Sequence, residues 1–546
     1  MALAPPVALA AIAVLLTARG ISDGDFRYSD ASRHAMDGVF IHDFVRDLPE
    51  SLYHPLDYAI RYYAHYPALG VVLYYPPFFA MVEAAFFAIF GISVFTAHLT
   101  VVAFAVLAVV MAYKLVSRIA GRRVAFLGAA LFISLPTVVF WSRQVMLEMP
   151  TTAMILVATY FFYKYTELGR PRDAVWTALT TVAAMMTKQP AMFIVPAFGV
   201  YLLVRRRWDL LRCWGFWVGA GSTTVILVSY VIVLVRYSHY YSVAHVGQGF
   251  AHKLETTVAA WLAFAGVPLI VAVIGAAVAC LVWEWRRPQA PGLWLLAIIA
   301  VVFFAGSVYA GARVPRYAMP VIPLVVCFVP EVLRRMHVLA RLPVFVAVAA
   351  GVLALAAVSF AQPVPIVRGY RDAAASILAH NGDKPFFLFD GVRDGDIIFY
   401  TRQMDPSRRL YALRGSKMLY TFASMKQFGY QELVTTREEL IRFIRDYGIR
   451  VVAVEDQDLA DTQPGKVLRE ALRDPALFEY AGAIPVRAPG TRLDNLTVLV
   501  YVSRSNGKPT QEFLTIPLPG LQRTITVPID GKGAPKIVHA PWKSAP

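Results

Sequence analysis

Cysteine and charge are both scarce in this sequence. Its 546 residues contain three cysteines, Cys213, Cys280 and Cys327, and each lies inside an apolar run without metal-ligand spacing. We therefore expect neither a disulfide framework nor a zinc site. Charged residues make up 16% of the chain, against roughly 25% in typical soluble domains. A soluble protein of this length would lack the polar surface that it needs.

Sequence motifs that bind nucleotides are also missing. The C-terminal part contains neither a Walker loop nor a dinucleotide-binding fingerprint. The net charge of +16 would suggest nucleic acid as a partner of a soluble protein. Here Lys and Arg lie between long apolar runs, which is typical of the loops of membrane proteins. We therefore expect a lipid bilayer as a partner, and no nucleic acid.

Long apolar runs dominate the first two thirds of the chain. The apolar fraction is 58% and the mean hydropathy is +0.54. Because a membrane span needs about 20 mostly apolar residues, we predict a polytopic α-helical membrane protein with about eleven transmembrane helices. These lie near residues 2–19, 95–116, 122–141, 148–168, 173–188, 190–204, 213–236, 257–283, 291–311, 317–333 and 341–361.

The basic loops predict the orientation of these helices. Basic residues concentrate in alternate loops, 114–123, 164–172, 205–212, 286–287 and 334–341. This bias places those loops and the N-terminus in the cytoplasm, provided that segment 70–92 does not cross the membrane. That segment contains Pro76, Pro77 and Glu83, which disfavour a simple span, so we leave open whether it spans or forms a juxtamembrane helix.

Composition also divides the chain into two predicted domains. Residues 1–361 form the transmembrane domain, with an extracytoplasmic loop at 20–94 that carries juxtamembrane helices. After residue 362 the apolar runs shorten to strand length, as at Phe386–Phe389, and Thr436 to Glu439 form a capping box that opens a helix. We expect residues 362–546 to be an extracytoplasmic α/β domain. The predicted location is the cytoplasmic (inner) membrane.

Polar residues gather on the predicted outer face, at the ends of separate helices. The candidates are Asp30, Arg33, His34, His65, Arg143, Glu148, Lys188, Arg316 and Tyr317. Such a cleft suits a substrate that has a phosphate and a long hydrocarbon tail. Ionisable groups at span ends need a partner or a pathway, which favours Glu148 and Lys188. A snorkelling lysine, solvated loop acids and interfacial aromatic belts are the structural alternatives.

Five motifs in order resemble the bacterial members of glycosyltransferase family 39, which are related to protein O-mannosyltransferases and to the lipid A aminoarabinose transferase. The resemblance covers about residues 1–335. The motifs are YSDASRHAMDG (28–38), YYPPFFAMVEAAFFAIFG (74–91), RQVMLEMP (143–150), Lys188-Gln189-Pro190 and RYAMPVIP (316–323). One departure is Ala31, where the family usually has a second loop carboxylate beside Asp30.

This resemblance implies the membrane fold known as GT-C and an inverting sugar transfer from a polyprenyl-phosphate donor. Asp30 would act as general base on the acceptor. Glu148, the second acid of the catalytic pair, would orient the acceptor, help Asp30, or hold Lys188 or Arg143 in place. The implied substrate-binding residues are Arg33, His34, His65, Arg143, Lys188, Arg316 and Tyr317. The acceptor, whether protein, lipid or glycan, stays open. So does a divalent cation, for which Ala31 removes one ligand.

Two functions of other classes remain possible from the residues alone. A transporter or flippase of lipid-linked sugars would also need many spans and buried charges, but we find no internal repeat of the kind that transporters usually show. A non-catalytic assembly or sensor protein is the second of these alternatives. Within the enzyme class, a polymerase or ligase of surface glycans fits the same motifs.

Overall fold

The fold was analysed in a computed structural model of the chain. The structure describes residues 4–70, 75–237, 249–311, 313–337, 341–421, 430–456, 462–505, 507–518 and 521–539. Helices make up the chain as far as Ala361, and a mixed sheet with flanking helices follows.

The first two thirds of the chain form a bundle of apolar helices. They are Ala4–Thr17, Val94–Ala120, Arg122–Ser134, Pro136–Ser142, Glu148–Leu168, Pro171–Met185, Ile194–Val204, Trp214–Tyr237, Phe250–Ala265, Val267–Arg286, Gly292–Tyr309, Ile322–Val325, Phe328–Arg335 and Leu342–Ala361, with 3₁₀ helices at Gln189–Phe193, Trp208–Arg212 and Pro315–Val321. In the described residues, six stretches are long and apolar enough to cross a membrane, and a bent pair makes a seventh. The chain is a multi-pass membrane protein. The count of eleven spans stays a prediction.

Proline and glycine break two of the predicted spans. The span at 122–141 is bent by 65° between Ser134 and Pro136. Leu135 is extended there, because the residue before a proline is disfavoured in the helical region. The span at 257–283 is two helices joined at Gly266, whose φ of +80° favours glycine.

Four helices lie in the predicted outer loop, Ala31–Arg46, Glu50–Tyr53, Pro55–His65 and Phe78–Phe90. The last contains the proline-led segment whose placement the sequence left open. With 13 residues it is roughly 20 Å long, which is shorter than the roughly 30 Å hydrocarbon core. Glu83 is fully buried in it, against Gly38 of the first loop helix. By length this helix fits the juxtamembrane alternative.

The described part of the last third contains two sheets. The first has the strands β1 (Phe386–Asp390), β2 (Tyr411–Arg414), β3 (Val451–Glu455), β4 (Phe478–Pro485) and β5 (Thr497–Ser503), in the order β2-β1-β3-β5-β4. The second has the strands β6 (Phe513–Leu518), β7 (Arg523–Pro528) and β8 (Lys536–His539). Strand β1 pairs in parallel with β2 and β3, and all its residues are buried. Helices Tyr370–Asn381, Asp394–Met404, Gly415–Met418, Arg437–Asp446 and Gln463–Leu472 accompany the sheets.

Two sequence predictions in this region are confirmed. A strand begins at Phe386, and the capping box is present, with the Thr436 hydroxyl accepting from the Glu439 amide. The preceding apolar helix ends at Ala361. The assignment of residues 362–546 to a separate extracytoplasmic domain stays a prediction.

A buried ion pair joins this region to the outer loop. Arg402 donates from Nε and Nη2 to the two carboxylate oxygens of Asp43, at 2.8 and 2.7 Å, and Tyr62 donates to the same carboxylate at 2.7 Å. Burial alone would raise the pKa of Asp43, but hydrogen bonds from His42 and Arg402 hold that pKa well below its usual range. The loop helix and the helix Asp394–Met404 are therefore held together by a desolvated charge pair.

Replacement of Arg402 by Ala should lower the free energy of unfolding by about 3–5 kcal/mol, because it leaves the Asp43 carboxylate buried without its cation. The matched control is Arg437→Ala, which removes a surface pair with Asp474 and should lower the free energy of unfolding far less. Chemical denaturation of both variants in detergent measures the difference. Equal losses would contradict the assigned role of the pair.

Candidate functional site

Four separate elements bring charged side chains to one place at the end of the helix bundle. Asp30 directly precedes the loop helix Ala31–Arg46, and Glu148 is the first residue of the helix Glu148–Leu168. Lys188 stands just before the 3₁₀ helix Gln189–Phe193, and Arg316 lies in the 3₁₀ helix Pro315–Val321. Prolines shape both 3₁₀ segments, because Pro190 and Pro315 stand in their first turns. Residues far apart in sequence thus form one cluster.

Glu148 is the centre of this cluster. Its Oε1 accepts from Lys188 Nζ at 2.7 Å and from Arg316 Nε at 2.8 Å, and the side chain is almost fully buried. Arg316 Nη2 also lies 3.7 Å from the carboxylate of Asp30. Glu148 therefore holds two cations, and the second of them reaches Asp30.

The charges in the cluster differ in how far they reach solvent. The Glu148 side chain is 2% exposed and that of Arg316 9%, whereas that of Asp30 is 30% exposed. Two cations face two carboxylates, one of them buried and the other partly exposed, so the cluster is balanced while Asp30 is ionised. Of the two carboxylates, that of Asp30 is the one that an incoming molecule can reach.

Aromatic rings surround the guanidinium of Arg316. Its Cζ lies 5.0 Å from the ring centroids of Tyr28 and Trp141 and 5.7 Å from that of Tyr317. Tyr28 also accepts from Arg316 Nη1 at 3.0 Å, and Lys188 Nζ stands 4.3 Å from the Tyr317 ring. Such rings stabilise cations and restrict their orientation. Tyr28 and Trp141 were not predicted as site residues, since aromatic residues beside a membrane usually form interfacial belts.

His34 and Arg33 lie on the loop helix next to Asp30. The His34 ring packs on Tyr75 and is close enough to Asp30, Glu148, Lys188 and Arg316 to feel their charges. Burial lowers the pKa of His34 to about 4, so the ring is neutral at pH 7. Arg33 turns the other way, towards Asp394, at 3.7 Å. Of the two, only His34 belongs to the cluster.

Two predicted site residues lie outside the cluster. The Arg143 guanidinium donates from Nε to the carbonyl of Leu16 at 2.8 Å, so this side chain braces the first helix. His65 stacks on Tyr411, with ring centroids 3.8 Å apart, and bonds the Leu410 carbonyl. Their role in substrate binding stays a prediction, and the contacts described here join them to Leu16, Leu410 and Tyr411.

The cluster also bears on the open question of a divalent cation. Arg316 contacts both acids, with Nε 2.8 Å from Glu148 and Nη2 3.7 Å from Asp30. Within the described ranges, no three His, Cys, Asp or Glu side chains are grouped as metal ligands.

The sequence of the central region matches a known family. Residues 75–234 match the family model described as dolichyl-phosphate-mannose-protein mannosyltransferase. Two motifs of the resemblance, at 143–150 and 188–190, lie inside this range, and a third, at 74–91, begins at its edge. No curated protein matches the sequence significantly.

Solved structures resemble the whole fold. ArnT from Cupriavidus metallidurans bound to undecaprenyl phosphate is 14% identical, with a TM-score of 0.60 over 93% of this chain and all of that one. The Archaeoglobus fulgidus oligosaccharyltransferase is 12% identical, with a TM-score of 0.55 over 83% of this chain and 68% of that one. The arabinofuranosyltransferase AftD from Mycobacteria is 16% identical, with a TM-score of 0.53 over 94% of this chain and 41% of that one.

These similarities concern fold, since the identities are low. The family match covers the motifs at 143–150 and 188–190 and nearly all of the one at 74–91, and the ArnT structure agrees with the fold that the resemblance implies. The predicted resemblance to family 39 is thus confirmed, and the chain has the GT-C fold.

Proposed function

We propose that this protein is a membrane glycosyltransferase that uses a polyprenyl-phosphate-linked sugar as donor. The observation that carries the proposal is the cluster in which Glu148 holds Lys188 and Arg316 beside Asp30. The similar ArnT structure is bound to undecaprenyl phosphate, which is a lipid phosphate of this class. The reaction would take place on the outer face of the cytoplasmic membrane.

In the proposed reaction, Asp30 is the general base. An acceptor hydroxyl is a weak nucleophile until a carboxylate within hydrogen-bond reach takes its proton. The acceptor oxygen then bonds to the anomeric carbon, opposite the breaking bond to phosphate, so the anomeric configuration inverts. The proton ends on Asp30 and the electron pair of the broken bond leaves with the polyprenyl phosphate.

Lys188 and Arg316 would stabilise the departing phosphate. Loss of the sugar leaves a phosphate dianion, and fixed cations at the edge of the membrane lower the energy of that charge. Glu148 balances one of the two cations, and Asp30 loses its charge when it takes the acceptor's proton, so one cation is then left to act on the phosphate. Glu148 is a positioning residue in this scheme, because it fixes both cations and does not face solvent.

The base assignment predicts that Asp30→Asn lowers kcat by about 10²–10⁴-fold, since the amide cannot take the proton. The measurement uses purified protein, a panel of radiolabelled polyprenyl-phosphate sugars and a membrane extract as acceptor. Asp23→Asn is the matched control, because Asp23 is an exposed acid of the same loop and should keep full activity. Full transfer by Asp30→Asn would refute the assignment.

The same assay tests the enzyme class. If a folded wild-type protein transfers sugar from no donor in the panel, the proposal fails. A transporter or flippase of lipid-linked sugars then becomes the better hypothesis, and the flipping of lipid-linked sugars across proteoliposomes would be measured next.

Lys188→Gln should lower kcat by about 10²–10³-fold, since a cation on the leaving phosphate is lost. It should also weaken product inhibition by polyprenyl phosphate, which a purely structural lysine would not affect. Lys253→Gln is a control, because Lys253 donates to the Tyr309 carbonyl and, among the described residues, forms no ion pair with the acids of the cluster. If polyprenyl phosphate inhibits Lys188→Gln as strongly as wild type, Lys188 does not bind the phosphate, and the snorkelling alternative is then favoured.

Glu148→Gln should keep the fold but release the two cations from their fixed positions. We expect kcat to fall at least about tenfold and Glu148→Asp to recover part of it, because a shorter carboxylate still pairs with one cation. Glu167→Gln is the control at the other end of the same helix, where the Glu167 carboxylate pairs with Arg118 near solvent. An equal effect of both substitutions would contradict a positioning role.

A further inference from the structure

A second basic cluster lies at the opposite end of the helix bundle. The 27-residue helix Val94–Ala120, roughly 40 Å long, separates the two ends. Before its first residue, the Ile92 carbonyl accepts from Gln403 of the C-terminal region, and Gly121 follows its last residue. The charge bias of the loops assigns the Gly121 end to the cytoplasm.

Three loops form a cleft of about 790 Å³ at this end. Its lining contains the arginine pairs Arg122 and Arg123, Arg286 and Arg287, and Arg334 and Arg335. The positive-inside rule explains why such residues lie on this side of the membrane. It does not explain why three pairs, distant in sequence, line one concave surface.

Two buried carboxylates, Glu284 and Glu331, pair with Arg334 and Arg335 of this cleft. Glu331 pairs with Arg334 at 2.7 Å and with Arg335 at 2.8 Å, and Glu284 pairs with Arg335 at 2.9 Å. Arg122, Arg286 and Arg287 are exposed, and none forms an ion pair with an acid in the part of the chain that the structure describes. The mouth of the cleft therefore carries uncompensated positive charge above a rigid base.

The edge of the cleft is apolar and faces the membrane. The helix Leu342–Ala361 begins beside it and exposes Leu342, Val346 and Leu353. The guanidinium of Arg123 lies 5.9 Å from the ring of Phe345 on the same helix, which joins the basic and apolar surfaces. A ligand with an anionic head and hydrocarbon chains fits both surfaces at once.

We propose that this cleft binds the phosphate headgroup of an acidic phospholipid. Basic pockets between membrane helices on the cytoplasmic side are suited to such headgroups, since arginine presents a planar fork to phosphate oxygens. The acyl chains would run along the helix Leu342–Ala361. The site is separate from the Asp30 cluster and does not depend on the proposed sugar transfer.

Native mass spectrometry of the full chain in detergent tests this, with phosphatidylglycerol and phosphatidylcholine that carry the same acyl chains. Wild type should retain phosphatidylglycerol over phosphatidylcholine by at least about tenfold, because each surface cation adds attraction to an acidic lipid. The triple substitution Arg122→Gln, Arg286→Gln, Arg287→Gln should abolish the preference. Equal retention of the two lipids by wild type would overturn the proposal.

The matched control removes the same charge elsewhere on that face, with Lys114→Gln, Arg172→Gln and Arg205→Gln, all of them exposed residues. This variant should keep the preference, and its loss would mean that total charge, not the cleft, binds the lipid. The single substitution Arg286→Gln should lower the preference severalfold if the triple variant does not fold.

A free phosphate ion presents the same oxygens to the arginines as a lipid headgroup does, and competition with inorganic phosphate tests this alternative. If millimolar phosphate displaces phosphatidylglycerol completely, the site takes a free anion and the lipid assignment is wrong.

Discussion

The pairing of Glu148 with Lys188 and Arg316 is the interaction on which the candidate site depends. A carboxylate at the end of a membrane helix is costly unless cations neutralise it, and here two cations from distant segments do so. The same contacts fix both cations beside Asp30. One ion network therefore neutralises a buried carboxylate and holds the partly exposed acid and the two cations in one place.

The outer loop is held from the other side by the C-terminal region. Asp43 is locked by Arg402, and Asp25 accepts from the Tyr370 amide at 2.9 Å and from the Tyr400 hydroxyl at 2.6 Å. Both acids belong to the loop that carries Asp30. The loop segment that carries Asp30 is thus attached to the C-terminal region at two buried acids, one on each side of Asp30 in the sequence.

The sequence predicts the site better than it predicts the directions of individual side chains. Charge patterning and five motifs identify Asp30, Glu148, Lys188 and Arg316, because ionisable groups at span ends are rare and need a partner. Arg143 and His65 are equally polar and near those motifs, but packing turns them to Leu16 and Tyr411. Pro136 and Gly266 are themselves the residues that favour the bend and the break. The long apolar runs around them predict uninterrupted spans instead.

The spacing of the cluster along the chain sets the order in which it can form during synthesis. Lys188 follows Glu148 by 40 residues, whereas Arg316 follows it by 168. The buried carboxylate can thus be neutralised while only the early helices are in the membrane. The cation that joins Glu148 to Asp30 arrives only when the segment around Arg316 is inserted. A nascent chain shorter than this contains the pair of Glu148 and Lys188 without that link, so the four-residue cluster belongs to the nearly complete membrane region alone.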